Sequence, residues 1–214
     1  MARSRESQNG PDSSGNLLKR IRQRLRRHPE NSVTEYEKRF LVLYIPSELK
    51  AQMDAPDYSD YVDIEQAYLS DDERIRKETK PTGEVKYTYA RKIPISGTQG
   101  FGKTEKPESL SEEEYEYLLE GKIGRAISKR RHFISDMEGL TVQLDIFKGM
   151  YEDDPLDGKM LAEVEIESPG ENQDAYQKIR NFRAFPWFVK KHVTDLISTR
   201  KLAMGTPFPN AIAA

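Results

Sequence analysis

Glu35, Glu37 and Arg39 alternate along the run 34–42, TEYEKRFLV. In a strand, alternate side chains share one face. These three would line one side, with Tyr36, Lys38, Phe40 and Val42 on the other. Two carboxylates about 7 Å apart on a rigid strand repel each other unless a cation stands between them. Other runs repeat the pattern with both signs of charge. Arg74 alternates with Arg76, and Lys86 shares a face with Lys92. Lys129 pairs with Arg131 in the same way, Gln143 with Asp145, and Glu163 with Glu165 and Glu167. One such strand alone reads equally well as a solvated face; the whole set favours charged faces turned toward one another. Burying charge costs several kcal/mol per ion unless it is paired or coordinated. The acidic pairs call for a divalent metal with oxygen ligands. The surplus arginines and lysines call for a polyanion, and guanidinium suits phosphate oxygens.

These side chains need a sheet to bring them together. Strands are expected from Val33 onward, over 64–69, 73–77, 85–93, 129–134, 140–147 and 160–167, separated by Gly, Pro and Asp turns. Their other faces carry Ile75, Tyr87, Tyr89, Leu144, Ile146, Val164 and Ile166, which suit contact with covering elements. The apolar faces then point outward and the charged faces inward, leaving a polar, water-filled lumen instead of a packed interior. Ser111 with Glu114 forms a capping box that opens a helix through Leu119, closed at Gly121. Residues 173–203 are expected to hold one or two further helices, with Pro186 and Trp187 between them. Many antiparallel strands with few helices make an α+β, barrel-like fold.

With 214 residues the chain suffices for one core and an appendage. Charged residues make up 33% but the net charge is only −2, so strong electrostatics must come from local arrangement. The absence of cysteine excludes disulfides, thiolate metal sites and a cysteine nucleophile. No apolar run approaches the ~18 residues of a membrane span, and the first residues lack a signal-peptide core; a cytoplasmic protein is expected. Residues 1–16 are polar and expected to be disordered. Leu17, Leu18, Ile21 and Leu25 then mark a helical stripe among six Lys and Arg residues, ended by His28-Pro29. This basic segment, 17–27, suits RNA, anionic lipid or an acidic partner, and equally a solvated helix docked by its leucines.

From residue 33 to about 167 the order of motifs resembles the CYTH, or triphosphate tunnel metalloenzyme, superfamily. Its signature, Glu-x-Glu-x-Lys often followed by Phe-Leu-Val, stands here as Glu35-Tyr36-Glu37-Lys38-Arg39-Phe40-Leu41-Val42, with Arg in the last signature position. The resemblance continues through Ile64-Glu65-Gln66-Ala67-Tyr68-Leu69, Arg74-Ile75-Arg76 and Lys92. It extends over Lys129-Arg130-Arg131, Asp145-Ile146-Phe147 and Ala162-Glu163-Val164-Glu165-Ile166.

The resemblance implies a closed eight-stranded antiparallel barrel, a tunnel with helices packed outside, over residues 31–205. Residues 1–30 would be a basic extension and 206–214 a tail. It implies Mg²⁺ or Mn²⁺ held by Glu35, Glu37, Glu163 and Glu165, with Asp145 as a further acidic position. Arg39, Arg74, Arg76, Lys92, Lys129 and Arg131 would form the triphosphate clamp, and Lys103 a nearby basic position. The implied activity is hydrolysis of tripolyphosphate or a small organic triphosphate. A metal-activated water would attack the terminal phosphate, with Glu37 and Glu35 as the catalytic carboxylates. A class IV-type adenylyl cyclase, an RNA-end triphosphatase and a non-catalytic polyphosphate- or nucleotide-binding module are alternatives on the same clamp. A monomer or homodimer is expected.

The chain departs from the family late. The family pattern Trp-Leu-Gly-x-Glu-Val-Thr, then Tyr-x-Asn, is replaced by Trp187-Phe188-Val189-Lys190-Lys191-His192-Val193-Thr194, then Ile197-Ser198-Thr199. His192 stands where Glu is expected, as a proton shuttle or a surface histidine. A second motif competes for attention: residues 97–104, GTQGFGKT, satisfy the P-loop expression. A P-loop needs a parallel strand before it and a helix opening at its Lys-Thr. Pro107 falls in what would be the first turn or so of that helix, and the chain lacks strand–helix alternation. A flexible glycine loop is expected instead.

Overall fold

The computed structural model describes residues 32–137, 140–151, 154–183, 188–193 and 197–208, together with 16, 17, 19–21, 23 and 24. Strand β1 (Val33–Val42) pairs with β10 (Met160–Ser168) on one side and β5 (Gly102–Leu110) on the other. Between them run β7 (Leu140–Lys148), β6 (Ile123–Met137), β2 (Tyr61–Tyr68), β3 (Glu73–Thr79) and β4 (Val85–Pro94). The order β1–β10–β7–β6–β2–β3–β4–β5–β1 closes an eight-stranded antiparallel barrel. A short strand β11 (Phe188–His192) extends β1 beyond the reach of β5, and β8 (Met150–Tyr151) with β9 (Asp154–Pro155) forms a separate hairpin.

The strands carry their apolar faces outward, as their period-two pattern requires, and helices cover them. Helix α2 (Glu112–Glu120) starts in the expected capping box: the Ser111 hydroxyl accepts from the Glu114 amide at 3.1 Å, and the Glu114 carboxylate accepts from the Ser111 amide at 3.0 Å. Its Tyr115 and Leu118 pack on Ala67, Ile75, Tyr89 and Leu110. Helix α3 (Gln173–Asn181) is capped by Asn172, whose side chain accepts from the amides of Asp174 and Ala175. It sets Ala175, Tyr176 and Ile179 against Tyr36, Phe40, Val142, Leu144, Ala162 and Val164. These two core clusters therefore lie between barrel and helices.

Inside, five inward rows end in apolar residues at one rim: Leu41, Tyr68, Ile127, Phe147 and Leu161. They cluster with Val193, Ile197, Leu202 and Ala203, the last two from helix α4 (Thr199–Ala203), and pack this end shut.

The observed elements differ from the expectations in places with identifiable causes. Residues 102–110, GKTEKPESL, form a full strand although no apolar alternation announces it; ladders to both β1 and β4 hold it. Strand β6 runs 15 residues, well beyond 129–134. Helix α1 (Ser47–Met53) buries none of its residues and left no apolar stripe to read. Two helices do occur within 173–203, but β11 separates them. Pro186, Trp187, Thr194, His28, Pro29, Leu18 and Leu25 lie outside the described residues. No described helix is long and apolar enough to cross a membrane.

The N-terminal segment meets the barrel's exterior. Ile21 is fully buried in the cluster beneath α2, and Arg24 pairs with Glu108 at 3.1 Å and Glu114 at 3.3 Å. Glu108 and Glu114 thus supply acidic partners for one basic residue of this segment, Arg24.

On the outside of β2 and β6, Tyr58 and the buried His132 stack at 5.6 Å, and Tyr61 lies 5.9 Å from the same imidazole. Burial, reinforced by Arg130, pushes the His132 pKa down to about 4. Between its ordinary 6.5 and that value the unfolded chain binds a proton that the native protein refuses, so stability falls as pH falls through this window. His132→Gln is expected to lose less stability than the parent between pH 7 and pH 5 in urea titrations. An identical loss in both proteins would assign the slope to other groups.

Candidate functional site

The lumen encloses a cavity of about 470 Å³. Its lining includes Glu35, Glu37, Arg39, Arg74, Arg76, Lys92, Lys103, Lys129, Arg131, Glu163 and Glu165. The barrel thus gathers eleven of the expected site residues, drawn from six strands, into one chamber. Asp145 is fully buried in the same charged layer, where Arg131 bonds both its oxygens at 2.7 and 2.8 Å and Lys129 also donates to it. His192 pairs with Phe40 through the backbone, and its side chain lies outside the described residues.

The position of each group follows from register. Arg39 lies opposite Glu163, Glu37 opposite Glu165, and Glu35 opposite Glu167 across β1 and β10. Glu35 also faces Lys103 of β5. The glycine run 97–102 is a compact β4–β5 hairpin with positive φ at Gly97, Gln99 and Gly100. The buried Thr98 hydroxyl donates to the Ile95 carbonyl at 2.8 Å and accepts from the Gly102 amide at 3.1 Å. No helix opens at Lys103-Thr104; strand β5 carries Lys103 into the lumen to donate to Glu37.

The charges form two chains of ion pairs. One runs Lys129–Asp145–Arg131–Glu163–Arg39–Glu37–Lys103. The other runs Glu35–Lys92–Glu105–Arg74, with separations of 2.5, 2.9 and 2.6 Å. Burial works to raise the pKa of Glu163, but Arg131, Lys129 and Arg39 outweigh it and hold the carboxyl well below its ordinary range. Burial likewise opposes ionisation of Glu105, and Arg74 and Lys92 prevail. Lys129 is lowered to about 8, chiefly by burial and then by Arg131.

Two groups on opposite walls are left out of balance. Glu165 on β10 makes no ion pair among the described residues and accepts only the Gln143 amide. Burial, then repulsion from Glu35, pushes its pKa up to about 7. Beside it the buried Gln143 Oε1 has no hydrogen-bond partner among the described residues. Diametrically across the barrel, Arg76 on β3 has its pKa lowered by burial and by Arg74 and Arg131. Its partners are Glu78 at 2.9 Å and the neutral Gln66 Oε1 at 3.1 Å. Glu165 thus lacks an ion pair among the described residues on one wall, while Arg76 on the other is crowded by two guanidinium groups and has one carboxylate partner.

Sequence reasoning missed Glu105, Gln66, Tyr68 and Phe133, all of which line the cavity. Glu105 shares a face with Lys103, a period-two signal hidden because β5 reads as a loop. Gln66 and Tyr68 lie within a recognised strand, two residues apart, and their side chains hydrogen-bond at 2.6 Å.

No protein-family model and no curated protein matches the chain. Among solved structures, the inorganic triphosphatase NE1496 is 26% identical, with 81% of this chain and 97% of that chain covered and a TM-score of 0.46. A conserved hypothetical protein from Pyrococcus furiosus is 17% identical over 76% of this chain and 99% of its own, with a TM-score of 0.47. The S. pombe Pct1 RNA triphosphatase is 12% identical over 85% and 90%, with a TM-score of 0.35. The closed eight-stranded barrel and its charged lumen agree with what the order of the sequence motifs led us to expect.

Proposed function

We propose that this chain hydrolyses tripolyphosphate or a small organic triphosphate with the help of a divalent metal. The observation that carries the reading is a pair of groups across the lumen. One is the buried Glu165, which makes no ion pair among the described residues and lies beside the orphaned Gln143 Oε1. The other is Arg76, crowded by Arg74 and Arg131 and ion-paired, among the described residues, only with Glu78. A metal–triphosphate complex is a ligand whose two ends answer both.

The residues fit Mg²⁺ or Mn²⁺. Glu165, the orphaned Gln143 Oε1 and Glu37 opposite Glu165 are hard oxygen donors, and Glu35 and Glu163 flank them. Among the described residues no three acidic groups yet surround a common point, because Glu35, Glu37 and Glu163 are turned to lysines and arginines. Loading the site is therefore an exchange of partners, in which carboxylates release cations and the cations take phosphate oxygens. When bound, the metal supplies positive charge to the phosphates and acidifies water. Arg39, Arg74, Arg76, Lys92, Lys103, Lys129 and Arg131 hold the phosphates in line and neutralise charge developing in the transition state. The Glu37 carboxylate, with Glu35 beside it, accepts the proton of the attacking water. Asp145 holds Lys129 and Arg131 in place as their counter-ion.

The test is product release from tripolyphosphate, ATP, thiamine triphosphate and 5′-triphosphorylated RNA, each with Mg²⁺ and with Mn²⁺. Phosphate release that Glu35→Ala lowers by about 10²-fold or more is the expected result. Pyrophosphate release from ATP would indicate a cyclase. Tight binding without release under any of these conditions would indicate a binding module.

A further inference from the structure

Strand β6 presents one inward row. From the closed end outward it reads Ile127 in the apolar plug, then Lys129, Arg131 and Phe133 in the cavity wall. Phe133 is one of two aromatic rings in the cavity wall among the described residues, the other being Tyr68 at the closed end. Phe133 is 44% exposed in a charged chamber, and among the described residues no other aromatic ring contacts it. Val62, opposite Arg131 in the β2–β6 register, also lines the cavity and adds apolar surface next to it.

Two residues along a strand span about 7 Å. A phosphate held by Arg131 therefore has the next group of its chain within reach of Phe133, toward the open rim. A bare polyphosphate gains nothing from an exposed ring, whereas a planar heterocycle stacks on one, and a cationic heterocycle gains a cation–π term as well.

We propose that Phe133 is a stacking platform for an aromatic ring on the substrate, so that the tunnel takes a triphosphate with a ring-bearing leaving group in preference to inorganic tripolyphosphate. This rests on the triphosphate reading of the lumen and narrows its substrate class. The clamp holds the phosphates common to all candidates; Phe133 and Val62 decide what is attached to them.

The experiment compares the full chain with Phe133→Ala and Phe133→Tyr. Calorimetric binding and, where turnover occurs, KM and kcat are measured for ATP, thiamine triphosphate and tripolyphosphate with the same metal. Phe133→Ala should weaken at least one ring-bearing triphosphate about tenfold or more, the scale of base–aromatic stacking, and leave tripolyphosphate within about twofold. Phe133→Tyr should restore the loss. Equal weakening of all three ligands, or no weakening of either ring-bearing one, overturns the proposal. If ligands bind but none is hydrolysed, the hydrolase reading fails while the ratio of affinities still decides the role of Phe133. If no triphosphate binds, both fall.

Discussion

Glu165→Gln is expected to make the metal-free protein more stable above pH 7 while lowering triphosphate hydrolysis by about 10²–10³-fold. The two effects have one cause. Glu165 is buried, faces like charge and makes no ion pair among the described residues, and the pull of Arg131 and Lys92 does not offset its burial and the repulsion of Glu35. Its folded pKa of about 7 lies above the ordinary 4.5. The native protein therefore keeps a proton that the unfolded chain gives up between those values. Stability declines as pH rises through that window, and the deficit persists above it. The amide keeps the size of the side chain and can still accept the Gln143 hydrogen bond, but it carries no charge to desolvate. A gain of ~1–3 kcal/mol is the expected scale. Urea titrations at pH 5 and pH 8 should show the variant's advantage only at the higher pH. Added Mg²⁺ should then stabilise the parent more than the variant, because binding to the native state alone raises stability. A variant no more stable than the parent at pH 8 would mean that Glu165 already has a cationic partner in the folded protein.

The second large effect is on the fold. Arg131→Ala should destabilise the chain by about 3–5 kcal/mol, the usual result of stranding one side of a buried pair. Here two carboxylates are stranded at once: Asp145, which loses a bidentate partner, and Glu163, which keeps only Arg39 and lies among other acids. Arg131→Lys keeps the charge but not the fork, so it should fall between the parent and the alanine variant. Urea midpoints at constant m-value measure the loss. Equal stability of the parent and Arg131→Ala would show that water reaches Asp145 freely, contrary to its full burial.

These variants separate what the lumen contributes to folding from what it contributes to function. Carboxylates in ion pairs hold the barrel's interior together, while the buried Glu165, which makes none among the described residues, is a stability cost. Such a cost is commonly found at sites arranged for a ligand. The same contrast runs along β6. Lys129 and Arg131 are buried and paired, whereas Phe133, next in the row, is exposed and has no described aromatic partner.

Much of this was legible because the strands obey a strict period of two. The row Glu35, Glu37, Arg39 and its counterparts Glu163 and Glu165 needed only alternation to be assigned to one face, and closure of the barrel set them in a common cavity. The capping box at Ser111 was legible for the same local reason: both of its hydrogen bonds lie within four residues. Strand β5 was not. Its sequence, GKTEKPESL, has no apolar face because its two ladders, not burial of side chains, hold it extended. With β5 went Glu105, which binds Arg74 and Lys92 and completes the second ion-pair chain.

The sequence by itself therefore determined the signs of the charges, the faces they occupy and the chemistry that could relieve them, since these follow from residue type and strand geometry. Tertiary structure decided which charges meet. Register placed Glu37 opposite Glu165 and Arg39 opposite Glu163, the apolar row ends with helix α4 shut one rim, and Glu165 was left without an ion pair among the described residues. Those outcomes depend on distances between strands far apart in the chain. Electrostatic energy falls with distance and rises with burial, and neither quantity exists until the barrel closes.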